Sequence, residues 1–146
     1  MADIGQTFRG MDISVSAMQA QRKRMDIVTS NLANAESTRS AGGGPYQRQQ
    51  VVFESMLGEA VGPRSAEPGP GGVRVSAVIP DTRPPVKLHM PGHPDADANG
   101  DVLMPDIRPA EEMADLLSSA RSYEANAAAF KITRSIIQKS LELGRA

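Results

Sequence analysis

The chain has 146 residues and 40 % apolar content, but no Trp, two Tyr and three Phe, so the large side chains that dominate burial energy are scarce and a strong self-contained core is not expected. Sixteen basic residues against seventeen acidic ones leave a net charge of -1, too weak a field to steer nucleic acid or anionic lipid. The absence of cysteine excludes a disulfide framework and thiolate chemistry.

The first residues, Met1 to Gln6, include an early acid, no basic stretch and no apolar run, so they do not read as a secretory leader. No later segment is apolar enough to suggest a membrane span, and export, if it occurs, is expected to use no cleaved signal peptide. A first helix is predicted from about Gln6 to Asn34. Along it Ile4, Met11, Met18, Met25 and Leu32 recur every seventh residue, the period that keeps one narrow stripe facing a partner helix in a supercoil. Phe8 and Val15 widen the stripe over the first half, whereas Arg22 and Thr29 narrow it over the second. Asn31, Asn34 and Ser37 compete for backbone hydrogen bonds and favour termination.

Between Ser40 and Pro109 lie all 11 prolines and ten of the 13 glycines, a composition no long helix tolerates. Gln47 to Phe53 and Val73 to Ile79 read as strands, the second with Val73, Val75, Ala77 and Ile79 on one face and Arg74, Ser76 and Val78 on the other. Val86, Leu88 and Met90 repeat the period of two after Pro84-Pro85, giving a module of three or four short strands. The Gly62 to Gly72 stretch has the composition of a flexible loop. A second long helix is predicted from Pro109 to about Leu143, with Glu111, Glu112 and Asp115 near its positive end and Gly144 as a stop. Its apolar rhythm is Met113, Leu116, Ala120, Tyr123, Ala127, Phe130, Ile137 and Leu141, with Arg134 interrupting the seam.

The expected fold class is therefore α+β: long N- and C-terminal helices of coiled-coil type (1–39 and 109–146) bracketing a small β-rich, Pro/Gly-rich inserted module (40–108) with a flexible loop near 62–72. The terminal stripes look too thin to stabilise one chain alone and suited to neighbours in an assembly.

Chemical motifs are sparse. Asp95, Asp97, Asn99, Gly100, Asp101 and Asp106 fall on positions of an EF-hand loop, which would make a calcium-responsive binding module. Against this, the last position wants a longer Glu, Pro105 precedes it, and Pro91 and Pro94 forbid an entering helix; an Asp/Asn/Gly-rich turn is the simpler reading. His89 and His93 flank a Pro-Gly bend with no partner cluster elsewhere. Arg22-Lys23-Arg24 splays around a helix without aromatic interleaving, a solvated face rather than a nucleic-acid patch. There is no Gly-x-Ser-x-Gly elbow, and Gly42-Gly43-Gly44 lacks the Lys-Ser/Thr of a P-loop; no enzyme and no cofactor are expected.

The most specific local pattern is Asn31-Leu32-Ala33-Asn34-Ala35 at the handover from helix to insert. Read physically, it is a helix C-terminus rich in small residues, fit for close approach. It also resembles the signature of the bacterial flagellar axial proteins, the rod and hook family. Gly44-Pro45-Tyr46-Gln47-Arg48 leading to Val51-Val52-Phe53 is similar to the segment that follows this signature in proximal-rod members. His93-Pro94-Asp95-Ala96-Asp97 with Gly100 and Val102, then Pro105, Glu112-Met113 and Arg121-Ser122-Tyr123-Glu124-Ala125-Asn126, resemble the second half of such a subunit.

The resemblance implies a structural subunit of the proximal rod in the flagellar basal body. Its terminal helices would pack into an inner tube forming drive shaft and export-channel wall, with the insert outward. It further implies export by the flagellar type III apparatus, and as partners copies of itself, other rod proteins, and the adaptor and export-gate components at the rod base. The assembly interface expected on this reading is Met11, Met18, Met25, Asn31, Leu32 and Asn34 on the first helix, with Leu116, Tyr123, Asn126, Phe130, Ile137 and Leu141 on the second. A generic coiled-coil adaptor, its helices pairing within one chain or in a dimer, is the alternative from periodicity alone.

Overall fold

The computed structural model describes residues 4–40, 42–57 and 70–144. The element order is α1 (Ile4–Ala33), β1 (Gln49–Leu57), β2 (Pro70–Pro80), β3 (Val86–His89), β4 (Asp101–Met104) and α2 (Pro109–Leu143). Both helices fall within a residue or two of the boundaries expected from sequence. Pro109 opens α2 where a missing N–H costs nothing, Glu111 and Glu112 sit in its positively polarised first turn, and Gly144 closes it by donating to the Ser140 carbonyl at 3.1 Å.

The helices pair with each other inside the chain. Asn31 near the end of α1 bonds Glu112 near the start of α2, and Arg24 one step back along α1 meets Asp115 further along α2, so the pair is antiparallel. At 30 and 35 residues they form a stem about 45 to 50 Å long. The expectation that thin stripes would await partners in other chains needs adjusting: part of each helix is already committed to the other. The deepest burial on α1 falls on Ser14, Ala20, Ile27, Val28 and Asn31. Met11, Met18, Met25 and Leu32 flank this line and are half-buried. On α2 the less exposed positions Glu112, Leu116, Ser119, Asn126, Phe130, Thr133 and Ile137 recur at three- and four-residue steps, with the exposed Tyr123 as the gap.

Much of that seam is polar and closed on itself. Ser14 donates to the Gly10 carbonyl (2.9 Å), Ser119 to Asp115 (2.8 Å) and Asn126 to Ser122 (2.8 Å), each one turn back along its own helix. Such back-bonding satisfies a small polar group without a partner helix, so the two backbones can approach with little apolar bulk between them.

Strands β1 and β2 form an antiparallel hairpin lying along α1, and β3 and β4 form a second two-stranded sheet. A bulge distinguishes the first hairpin from its sequence reading. Val52 pairs with Ala77 but Phe53 with Val75, leaving Ser76 as the extra residue. Beyond the bulge Val78 pairs with Val51, Ala77 with Val52 and Ile79 with Gln50. Exposure nonetheless alternates as expected from Val73 to Val78, with Val73, Val75 and Ala77 half-buried and Arg74, Ser76 and Val78 exposed; Ile79, exposed, departs from it. Pro70 to Gly72, expected in the loop, begin β2; the rest of that loop expectation, residues 62–69, lies outside the described residues. Strand β4 was not anticipated, since its four residues follow directly on an Asp/Asn/Gly turn; Val102, now 1 % exposed, is its buried member.

Gly72 explains how closely the hairpin approaches α1. It has φ +114°, and a Cβ placed there would lie 2.5 Å from Ser16 Oγ, the hydroxyl that accepts the Val73 N–H at 3.1 Å. Further along, Arg24 lies 5.9 Å from the centre of the Phe53 ring. Helix α1 is thus a spine, with α2 and the hairpin both packed alongside it.

Candidate functional site: a buried polar hub and an exposed helix face

Where α1 ends, α2 begins and β1 starts, a buried polar network joins all three. Asn31, 0 % exposed, sits at its centre. Its Oδ1 accepts from the Gln49 N–H (2.9 Å) and the Tyr46 hydroxyl (3.1 Å); its Nδ2 donates to the Gln49 carbonyl (2.8 Å) and to Glu112 Oε2 (3.1 Å). The carboxamide engages the Gln49 peptide as a neighbouring strand would, so it closes the free edge of β1 at that point.

Glu112 is 1 % exposed, and its second oxygen accepts from Arg48 Nε at 2.6 Å. Arg48 reaches on to Asp81 Oδ2 at 3.3 Å, and the same oxygen takes Gln50 Nε2 (2.8 Å) and Arg83 Nε (2.9 Å). The Arg83 side chain and backbone N–H beside Asp81 hold its carboxyl well below the usual carboxylate range, against the opposing effect of burial. Arg83 in turn pairs with Asp106 at 3.2 Å and is itself raised, chiefly by Asp81. A cleft of about 230 Å³ opens beside these groups, bounded by Pro45, Tyr46, Pro85 and Pro105.

Asn34, in the same signature as Asn31, has a local task. It donates to the Ser30 carbonyl (2.8 Å) and accepts from Ser37 Oγ (3.1 Å), tying off the end of α1. The EF-hand-like loop turns its carboxylates in different directions. Asp95 accepts from Thr38 Oγ1 (2.7 Å) and pairs with Arg39; Asp97 accepts the N–H groups of Asn99 (2.8 Å) and Asp101 (3.0 Å); Asp101 meets His89 (2.9 Å). The Thr38 hydroxyl lowers the Asp95 carboxyl and the two backbone N–H groups lower Asp97, so both act as turn anchors. Among the described residues no cluster of three or more His, Asp or Glu could hold a metal ion, and no helix is long and apolar enough to cross a membrane.

The remaining sequence-selected positions lie along the stem. Leu116, Asn126, Phe130 and Ile137 are half-buried on the inward line of α2, while Tyr123 and Leu141 are exposed. Beyond them Met113, Leu117, Ile132, Ile136 and Leu143 are more than half exposed, turned away from α1. Sequence reasoning did not single out Glu112, Arg48 and Asp81 as one network. Glu112 left a signal: it stands four residues before Leu116, on the seam, where an acid has no place unless it meets a partner.

A long antiparallel stem with exposed apolar side chains scattered along α2, and two small sheets between its helices in the chain, is the form of a structural subunit. The comparisons agree with it at both ends of the chain. A family model described as flagella basal body rod protein matches residues 11–39, and one described as flagellar basal body rod FlgEFG protein C-terminal matches residues 100–143. The chain is 40 % identical over 136 residues to the flagellar basal-body rod protein FlgC of Yersinia enterocolitica, covering 92 % of this chain and 95 % of that one. It is 41 % identical over the same length to its namesake in Salmonella typhimurium, with the same coverage. To that of Bacillus subtilis it is 40 % identical over 148 residues, covering 94 % and 98 %. The chain belongs to the FlgC family of flagellar basal-body rod proteins. It is a structural subunit of the basal-body rod.

Proposed function

We propose that this subunit polymerises through its terminal helices in the proximal rod, where the stem lines the axial tube as drive shaft and export-channel wall and the β module faces outward. The outward face of α2 carries the reading. Met113 is 56 % exposed, Leu117 53 %, Ile132 62 % and Ile136 55 %, with Ala125, Ala128 and Ala129 between them. These apolar side chains stand among exposed charges, Arg121, Glu124, Lys131 and Arg134, on a helix already packed on one side, a mixed surface suited to helices of neighbouring subunits, copies of itself or other rod proteins.

Met11, Met18, Met25 and Leu32 on the flank of α1, with Tyr123 and Leu141 on α2, extend that surface. Leu116, Asn126, Phe130 and Ile137 back it from the side facing α1. Contacts with the rod-base adaptor and export gate, and passage through the flagellar type III route without a cleaved leader, belong to the same proposal. Its acidic loop at 95–106 serves as a turn in the outward module.

The test is a doubly charged variant, Ile132→Asp with Ile136→Asp. The isolated chain should keep its helical circular dichroism and unfold within about 0.5 kcal/mol of the parent, since both sites are exposed. In a strain lacking the native subunit, basal bodies should stop before a complete rod. Normal incorporation of the variant would overturn the reading.

A further inference from the structure

Small and large side chains share the seam between α1 and α2. Its buried positions include Ser14, Ala20 and Ser119, whose serines bond back to their own helices, beside Ile27 and Val28, with Leu116, Phe130 and Ile137 half-buried opposite. Apolar burial is non-directional, so axial register is chosen most sharply by groups that must meet one particular partner. Among the described residues, side-chain hydrogen bonds between the two helices are made by Asn31 with Glu112 and by Arg24 with Asp115. The Arg24–Asp115 pair is more than a third exposed at both partners, a kind of contact that holds geometry loosely.

The Asn31 pair is different. Both hydrogens of its amide are used and its oxygen accepts twice, all within 3.1 Å and with no exposure to solvent. Sliding α2 by one turn would leave Glu112 and Asn31 buried without each other, and swinging the hairpin away would strip Gln49 and Arg48 of their partners. Unpaired buried polar groups are costly, so alternative registers are penalised far more than the native one is stabilised. Burying charged groups offsets most of what their pairing contributes, and apolar replacement of a whole buried ionic cluster is often neutral or favourable. A single buried Asn that fixes helix register is a known use of such groups.

We propose that Asn31, Arg48 and Glu112 are positioning residues: they set the axial register of α2 on α1 and the pose of the β1–β2 hairpin, while adding little net stability. Taken with the assembly reading above, on which this last step rests, they fix the spacing between the exposed surface of α2 and the β module that a helical polymer must repeat.

The chain has no cysteine, so two label pairs can be introduced cleanly at exposed sites: Gln19→Cys with Glu124→Cys across the stem, and Ser76→Cys with Ser118→Cys between hairpin and α2. Spin-label distances are measured in the isolated chain, so the outcome is independent of whether the helices also mediate polymerisation. The parent should give one narrow distance for each pair. The triple replacement Asn31→Leu, Arg48→Met, Glu112→Leu leaves the Gln49 peptide and the Tyr46 hydroxyl without Asn31, so it should unfold cooperatively with a midpoint below the parent's but above that of Glu112→Ala alone, and show a second distance population for at least one pair. One narrow distance retained for both pairs would overturn the proposal. Failure of the triple variant to fold would also overturn it, because the network would then be supplying stability.

Discussion

The two ends of the stem are opposites. Where α1 finishes and α2 starts, Asn31 and Glu112 are shut off from solvent and each polar atom named there has a partner. Towards the far end of α2, Ile132, Ile136 and Leu143 are 62 %, 55 % and 80 % exposed. One end spends polar groups on fixing an arrangement; the other leaves apolar groups in water, where each would gain about 1.5 to 3 kcal/mol on full burial. The difference separates two tasks that a polymer subunit must perform, holding its own shape and offering a surface to the next copy.

Removing one member of the hub gives the largest expected change. Glu112→Ala removes one of two acceptors from the Asn31 amide and the closer carboxylate from the Arg48 guanidinium, and a loss of about 3 kcal/mol in urea unfolding is expected. A loss below about 1 kcal/mol would show that the hub is less dry than its burial implies.

Next comes the contact that docks the hairpin on α1. Gly72→Ala meets both a positive φ and Ser16 Oγ, and should cost about 1 to 3 kcal/mol. Adding Ser16→Gly should recover only the part due to the clash, and complete recovery would show that the backbone angle is unstrained.

Acid should reach the hub through Asp81. Its folded carboxyl is held below the ordinary value of about 3.9, so the stability it contributes is fully present above that pH and is lost as pH falls through the depressed folded value. The gap in unfolding midpoint between parent and Asp81→Asn should therefore be constant from pH 7 to about pH 5 and shrink below about pH 4. A gap that stays constant down to about pH 2.5 would contradict the assignment.

The smallest effect belongs to the other end. Ile136→Gln should leave the isolated chain within about 0.5 kcal/mol of the parent by thermal unfolding. A larger loss would mean that this part of α2 is covered in the free chain, and the contrast between the two ends would weaken.

Much of the architecture was legible in the chain. Proline and glycine placement bounded the insert, and Pro109, Glu111, Glu112 and Gly144 marked α2 almost to the residue. The alternation of β2 was legible up to Val78, but the bulge was not, because one extra residue at Ser76 in the pairing leaves no mark in composition. The line of α1 that packs within the chain was not legible, since the large apolar residues at a seven-residue period stand on its flank. The actual contact with α2 and the hairpin uses small residues, Ala20 and Ser14, beside Ile27, Val28 and Asn31. The hub was half visible: Asn31 stood in the signature and Glu112 on the seam, but Asp81 is far from both in sequence.

Local sequence determined what depends on neighbours along the chain: where helices begin and stop, and where prolines forbid them. Kinship was also legible there, in the Asn31 to Ala35 signature. Tertiary structure decided which side of each helix turns inward and which residues share a proton donor or acceptor, because those depend on groups 18 to 81 positions apart meeting in one dry place. Backbone propensity acts through adjacent residues; the penalty for an unpaired buried polar group acts only once the whole chain has closed around it.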